Sequence, residues 1–398
     1  MMNEIKRMNE EHLDEMFQLA AYAFNAETTD ERKERFQKIV QHSWNYGYFS
    51  DNILASQVIS TPFTVNFHKV NYQMAGIGCV SSYPEYRGQG GVSAIMKQLL
   101  TDLAENKIEL AYLAPFSYPF YRKYGFEQLF EQITYTIKAA DWPNIKATPG
   151  QMKRVPFEVA QNTIQEIYQK TERNQRGALT RENWWLEYTF GLDQTNQFAI
   201  YINEQGEIEG YLIYQSSAAR FTIKEWGYLT NQAFKSILRF VGSHNGSSQE
   251  FHFETGFDGQ TLSYLLPAPL VKMEISPYMM GRIVDLESFL EKYPFATGAN
   301  ESYYLEIEDR YASWNNGLWK LSINNQGKGT LLKIDSLPQD VLNENTISGD
   351  IQTFTQAFMG YRSLAELRFY EKISANETLI KALDERLVKG VPVLADYF

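Results

Sequence analysis

Ile77-Gly-Cys-Val-Ser-Ser-Tyr-Pro-Glu-Tyr-Arg-Gly-Gln-Gly-Gly-Val-Ser-Ala-Ile-Met96 is the stretch on which the reading of this chain turns. A strand over Gln73–Ser81 delivers the chain into Arg87-Gly-Gln-Gly-Gly91. A helix follows at once, because Val92, Ile95, Met96, Leu99 and Leu100 repeat at helical spacing through Gly90–Ala104. Gly88, Gly90 and Gly91 carry no side chain, so successive N–H groups can turn onto one anion. The helix N-terminus adds partial positive charge at the same point, and Arg87 can pair with a phosphate from the rim. The bland competitor is a glycine-rich turn that only starts a helix. No Gly-Lys-Ser/Thr follows, which excludes a nucleotide-triphosphate loop. The strand leaves a meander instead of opening a βαβ unit, which speaks against a dinucleotide fingerprint.

Working outward, Leu13, Phe17, Ala20 and Phe24 mark a helix over His12–Phe24, and a polar helix follows at Thr29–His42. Apolar runs at Ile53–Ser60 and Thr64–His68 read as strands of the meander. After the glycine loop come a short strand at Leu110–Ala114, a helix near Tyr118–Tyr124 and a last strand pair over Phe126–Lys138. Asp141–Pro156, with three prolines and a glycine, reads as a linker. Beyond an amphipathic helix at Phe157–Lys170, strands recur at Phe198–Ile202, Gly210–Tyr214 and Arg220–Tyr228. A helix at Asn231–Val241 and a strand at Glu250–Thr255 follow. This repeats the first order of elements, but no glycine run separates Tyr228 from Asn231, so the second copy reads as structural. A third segment carries strands at Tyr303–Glu308, Gly317–Ile323 and Leu331–Asp335 and helices at Ile351–Met359 and Asn376–Leu387. Gly390 is read as the stop of the last helix.

The 398 residues are too many for one ordinary core, so two or three domains are expected. A net charge of −11 disfavours a nucleic-acid partner and leaves cationic small molecules or basic peptides as substrates. No apolar run is long enough to span a bilayer, and Met1–Glu11 lacks a signal-peptide core, so a cytoplasmic protein is expected. One cysteine and five scattered histidines offer no disulfide and no metal-ligand spacing.

Val80-Ser-Ser with Arg87-Gly-Gln-Gly resembles the acetyl-CoA motif of the Gcn5-related N-acetyltransferase (GNAT) superfamily. Together with Tyr121-Arg-Lys-Tyr-Gly-Phe126, Met280–Leu290 and the terminal Val-Pro-Val…Phe, it is similar to the enhanced-intracellular-survival (Eis-like) branch. The resemblance covers essentially the whole chain. It implies an α+β protein of two tandem GNAT-like folds followed by a sterol-carrier-protein-like domain, here 1–145, 146–290 and 291–398. It further implies acetyl-CoA as cosubstrate, an amine acceptor and assembly into hexamers. By position, Val80, Ser81 and Ser82 match the strand that pairs with the pantetheine arm. Arg87, Gly88, Gln89, Gly90, Gly91 and Val92 match the pyrophosphate loop. Tyr121 matches the tyrosine proposed as general acid, and Phe398 the residue whose α-carboxylate is the proposed base. Where studied pockets of the family place an acid after the first helix, this chain has Ala26 with Glu27 beside it.

Acetyl transfer needs a neutral amine, a polarised thioester carbonyl and a proton for the departing thiolate. A tyrosine hydroxyl of pKa ~10 can protonate a thiolate whose conjugate acid lies near ~8.5. Without the resemblance, Tyr121 would read as packing among Tyr118, Phe120 and Tyr124. The apolar tail Val-Leu-Ala-Asp-Tyr-Phe suggests docking into a groove, which would carry a carboxylate inward. Cys79, inside an apolar strand with no histidine near it, reads as a pocket-wall or core residue. Tyr22, Phe24, Trp44 and Tyr83 are candidate walls of the amine pocket, and core packing explains each equally well. Glu27 and Asp396 are candidate contacts for a cationic substrate, against a larger prior for plain surface charge. Two other functions compete. Aminoacyl or peptidyl transfer would need a tRNA site that the net charge disfavours. A lipid carrier would need an apolar cavity in the third domain.

Overall fold

The computed structural model of the protein describes residues 3–263, 271–339 and 345–398. Strand β1 (Asn3–Met8) pairs antiparallel with β2 (Trp44–Ser50), and two helices lie between them in sequence. α1 (Leu13–Ala23) buries Met16, Phe17 and Leu19, while α2 (Asp30–Gln41), started by the Thr29 side chain on the Arg32 N–H, buries only Ile39 and Val40. β3 (Ile53–Phe67) and β4 (Val70–Ser82) form the long hairpin of the meander. The sequence reading broke β3 around Pro62, yet the strand runs through, with Pro62 opposite Ala75. The β2 ladder ends at Ser60, so the missing proline N–H removes no bond to it. α3 (Gly91–Glu105) turns Ile95, Met96, Leu99, Leu100 and Leu103 onto the sheet, where they meet Tyr46, Val58, Ile77 and Leu113. β5 (Leu110–Leu113), α4 (Tyr118–Arg122) and β6 (Glu127–Gln128) complete this stretch.

The chain then enters a second compact unit, Phe130–Pro277 with Val393–Asp396. β7 (Glu131–Lys138) belongs to the sheet of this unit, so the strand pair read at Phe126–Lys138 is divided between two sheets. β8 (Gln151–Val155) lies inside the stretch read as linker; its two apolar residues, half-buried Met152 and Val155, stand three apart and gave no alternating strand pattern. α5 (Phe157–Lys170), β9 (Arg176–Thr180), α6 (Asn183–Leu186), β10 (Gln197–Ile202), β11 (Ile208–Ser216) and β12 (Arg220–Tyr228) follow. α7 (Asn231–Gly242), β13 (Glu250–Gly256) and β14 (Lys272–Pro277) close the unit. All of these strands but β9 form one seven-stranded sheet in the order β14-β7-β13-β12-β11-β10-β8, and β12 and β13 are parallel.

The remaining chain rejoins the first unit, which comprises Met1–Leu129, Tyr278–Pro392 and Tyr397–Phe398. β15 (Met280–Ile283) inserts between β5 and β6, so the first sheet reads β1-β2-β3-β4-β5-β15-β6. Buried Arg282 fastens it, donating to Asp309 at 2.6 Å and to the Tyr124 carbonyl at 2.5 Å. After α8 (Leu286–Lys292) come β16 (Glu301–Glu308), β17 (Gly317–Ile323), β18 (Gly329–Ile334) and β19 (Thr346–Asp350). α9 (Ile351–Phe358), α10 (Leu364–Phe369), β20 (Ile373–Ser374) and α11 (Glu377–Arg386) end the fold, with sheet order β18-β17-β16-β19-β20. The sequence reading missed α10, which a Ser363–Glu366 capping box starts. α11 stops at Arg386 because Leu387 is already extended, so Gly390 is not its cap. Among the described residues no helix is long and apolar enough to cross a membrane.

Candidate active site

Where β4 leaves its neighbour, the first sheet opens. The parallel β4–β5 ladder runs from Met74 opposite Leu110 to Ile77 opposite Leu113 and stops there. On the other side of β4 the register jumps from Gly78 opposite Ile59 to Ser81 opposite Gln57, leaving Cys79 and Val80 as a bulge. Cys79 takes φ +49°, a conformation non-glycine residues seldom adopt and one that turns the backbone of the next residue. The Ser81 hydroxyl donates to the Cys79 carbonyl at 3.1 Å and braces the kink. Beyond the bulge, Val80, Ser81 and Ser82 line a cleft.

The glycine loop forms one end of that cleft. Gly88 and Gly90 stand at φ +79° and +85°, and a Cβ built on either meets nothing within 4 Å. Gly91 differs: a Cβ there would come within 2.8 Å of the Ser56 hydroxyl and 3.0 Å of the Tyr48 ring. Its missing side chain lets α3 sit close to the sheet. Gly90 is the residue before α3 and offers no side chain to cap it, so the first-turn N–H groups face the cleft. The cleft has a volume of about 690 Å³ and is lined by Val80, Ser82, Arg87, Val92, Phe116 and Lys123, among others. Lys123, which sequence reasoning did not single out, lines the same cleft as Arg87 and is a second cation there; it lies over the rings of Phe120 and Tyr124 at 4.2 and 4.7 Å. Gln89 turns away from the cleft and donates to the Glu85 carbonyl at 2.8 Å.

Tyr121 is buried, with ring contacts to Phe116, Phe120 and Phe126 at 5.2, 5.0 and 6.4 Å. Burial first, then the neighbouring Tyr124 and Tyr397 hydroxyls, hold its pKa well above the ordinary phenol value, so the proton stays on oxygen. Phe398 lies in a trough made by two glycines of β4. A Cβ on Gly76 would approach its ring to 2.8 Å, and one on Gly78 would approach its carboxyl carbon and oxygen to 3.0 and 3.3 Å. Phe63 flanks the same ring at 5.5 Å. The sequence reading used neither Gly76 nor Phe63; the signal was Gly-x-Gly inside an apolar strand, which marks a close approach.

The other predicted pocket residues separate. Phe24 lines the cleft and is 56% exposed; Tyr22 is 57% exposed and pairs with Tyr83 at 5.5 Å. Burial and then Glu85, Glu15 and Tyr22 raise the Tyr83 pKa. Glu27 is exposed in the turn after α1. Trp44 packs under Arg7, 4.7 Å from its guanidinium, and against the core below α3. Burial pushes the Cys79 thiol up to about 11, which makes it a poor nucleophile. Asp396 is no surface charge: it is buried in the second unit on Arg181 and Trp185, each at 2.8 Å. A cation already neutralises it there.

Residues 4–129 match the model of an acetyltransferase (GNAT) domain, 177–283 match a second acetyltransferase (GNAT) model, and 286–395 match a sterol carrier protein domain. A crystal structure from Enterococcus faecalis V583, described as a conserved protein of unknown function and probable N-acyltransferase, is 51% identical, with all of both chains covered and a TM-score of 0.96. Eis1 from Mycobacterium abscessus shares the fold at 16% identity, again over all of both chains, with a TM-score of 0.77. An uncharacterized N-acetyltransferase of Streptomyces avermitilis is 28% identical over 145 residues. That match spans about a third of each chain, 33% of this one and 34% of the relative. The chain belongs to the GNAT superfamily. The family matches run in the order of two GNAT domains followed by a sterol carrier protein domain.

Proposed function

We propose that this protein transfers the acetyl group of acetyl-CoA to a primary amine of a small molecule or peptide, at the cleft between β4 and α3. The observation that carries the reading is one conjunction. The β4 bulge, the open volume over Gly88 and Gly90, and the uncapped α3 all face one cleft, with Arg87 and Lys123 lining it. Such a cradle suits a pyrophosphate, since amide donors and two cations line the cleft into which Gly88 and Gly90 send no side chain.

Acetyl-CoA, when bound, supplies the activated thioester. Arg87, Lys123 and the first-turn N–H groups of α3 hold its phosphates. Val80 and Ser82 offer backbone groups to an extended arm, as an added strand would use them. A backbone N–H at the bulge donates to the thioester carbonyl oxygen, where charge builds as the amine attacks. The Tyr121 hydroxyl gives its proton to the departing sulfur. The raised pKa of Tyr121 keeps that proton available across the working range. The Phe398 carboxylate steers a neutral amine or relays its proton through water, since a carboxylate of pKa ~3.5 is by itself a weak base for an ammonium. We take a hexamer, which the family resemblance implies, and a cytoplasmic setting as part of the same reading; native mass spectrometry tests the oligomer.

Gly90→Val tests the cofactor site. The branched side chain enters the open volume and opposes φ +85°, so acetyl-CoA affinity should fall at least tenfold by calorimetry while the fold persists. Wild-type affinity in a folded variant would end the proposal.

A further inference from the structure

The cleft beside the β4 bulge carries rings as well as cations. Phe24, Phe116 and Phe120 line it, and two of them stand largely in water, Phe24 at 56% and Phe116 at 68% exposed. Exposed apolar side chains are ordinary one at a time; grouped on the wall of one cleft they mark a ligand contact. Both rings are held by local structure. Phe24 ends α1, and its N–H donates to the Ala20 carbonyl at 3.0 Å. Phe116 precedes Ser117, whose hydroxyl starts α4 by accepting the Phe120 N–H at 3.4 Å. The Phe116 ring meets those of Phe120 at 5.0 Å and Tyr121 at 5.2 Å, so it touches the side chain read as proton donor. Next to Phe24, the Tyr22 ring leans on Tyr83 at 5.5 Å, and the Tyr83 N–H is fixed on the Ala55 carbonyl at 3.1 Å.

Charge narrows what these rings can hold. Among the described residues that line the cleft none is an aspartate or glutamate, while Arg87 and Lys123 are cations. Glu15 and Glu85 act on Tyr83, and Glu27 stands exposed in the turn after α1, yet none of the three lines the cleft. An acceptor with several ammonium groups would bring charges that this lining does not pair and that its cations repel. The carboxyl group of Phe398, against Gly78, suits one ammonium, the reacting one. What the wall offers the rest of the acceptor is the faces and edges of phenyl rings, which favour another aromatic ring.

We propose that the acceptor is a monoamine carrying an aromatic ring, and that Phe24 and Phe116 select it by holding that ring. This rests on the reading of the cleft as an acetyl-transfer site. Atoms balance as in that reading: the nitrogen gains the acetyl group and loses one proton. The released sulfur gains one proton from Tyr121, which is replenished by the proton that the nitrogen gives up.

The full-length protein is assayed by thiol release at saturating acetyl-CoA against phenethylamine, tryptamine, butylamine, spermidine and kanamycin. kcat/KM for the two aromatic amines should exceed that for butylamine and for either polycation at least tenfold. Calorimetry with CoA present should rank phenethylamine above spermidine in affinity, independently of turnover. Phe24→Ala should cut the preference for phenethylamine over butylamine at least fivefold, mainly through KM. Phe24→Glu brings a carboxylate to the wall and should shift the preference toward spermidine at least tenfold. Phe116→Leu tests the other ring and should lower the same preference, whether or not the Phe24 variants fold. Phe369→Ala removes a ring outside the cleft, 78% exposed, and should change neither rate nor preference. A wild-type preference for a polycation, equal use of butylamine and phenethylamine, or a preference that survives in folded Phe24→Ala and Phe116→Leu overturns the inference. Failure of the broader reading looks different. If no amine is acetylated, the acetyl-transfer reading fails and the calorimetric ranking alone decides whether the ring site exists. If spermidine or kanamycin is the best substrate, that reading stands and only the aromatic class fails.

Discussion

Gly78→Ala perturbs the proposed site by a single methyl group. Its φ is not in the left-handed region, so the backbone accepts alanine without strain. The new Cβ would stand 3.0 Å from the Phe398 carboxyl carbon and 3.3 Å from its oxygen. Comfortable carbon contacts lie at ~3.5–4.0 Å, so the carboxyl group must move by about 0.5 Å. A misplacement of 1 Å in a catalytic group costs on the order of 10²-fold, so half of that predicts a kcat loss of roughly tenfold. That is about 1.4 kcal/mol in activation free energy. Gly78→Val should approach a hundredfold. The glycine loop is untouched, so calorimetry should give a wild-type dissociation constant for acetyl-CoA. Turnover is followed by thiol release against a panel of amines at saturating cofactor, and a thermal scan checks the fold. Native kcat in a folded Gly78→Ala would show that placement of this carboxyl group does not govern the rate.

Tyr121→Phe keeps the ring contacts and removes the proton donor, so turnover should fall ~10²–10⁴-fold with cofactor affinity unchanged; near-native turnover would return Tyr121 to a packing role. Cys79, raised to about 11 from an ordinary value of 9.0, should resist iodoacetamide at pH 8, reacting on the order of 10²-fold more slowly than a free thiol. Because its folded pKa is the higher one, its contribution to stability is complete below pH ~9 and is lost as pH rises through 11; rapid labelling of the native protein at pH 8 would contradict this. Titration should find one acetyl-CoA per chain, and two equivalent sites would refute the assignment of the second GNAT domain as structural.

The glycine loop and α3 were legible because their signals are local: three glycines, then apolar residues at helical spacing. α5 and β12 matched the residues expected of them, Phe157–Lys170 and Arg220–Tyr228, for the same reason. The exchange of strands was not legible. β7 and β15 each pair in the sheet that their neighbours in sequence would not suggest, and strand partners are set by distant chain that carries no local mark. The trough for Phe398 was half visible. Gly76 and Gly78 announce a close approach on one face of β4, but nothing in the sequence names what approaches. Asp396 misled for a related reason, since an acid in a tail looks solvent-facing until Arg181, more than two hundred residues away in sequence, is known to pair with it.

The two GNAT sheets show why a shared fold need not mean a shared site. The second also bulges beside its parallel pair: the register passes from Ile223 opposite Tyr214 to Glu225 opposite Ile213, leaving out Lys224. Beyond that bulge β12 and β13 likewise stop pairing, after Ile223 and Phe253. The space so opened is filled from within. Trp226 packs on Phe253 at 4.5 Å and on Phe234 at 5.8 Å, leaving a void of only about 30 Å³ among apolar side chains. At the helix start the contrast is sharper. α3 is preceded by Gly90, which leaves its first N–H groups uncapped, whereas the Thr230 hydroxyl takes the Ala233 N–H of α7 at 3.2 Å. A phosphate arriving at α7 would have to displace that cap, find no glycine nest and push aside a tryptophan. Each substitution that closes the second cleft is an ordinary stabilising choice, a cap or a filled core. The first domain leaves those same positions open, and it is on that local departure from the most stable arrangement that we propose it as the working copy.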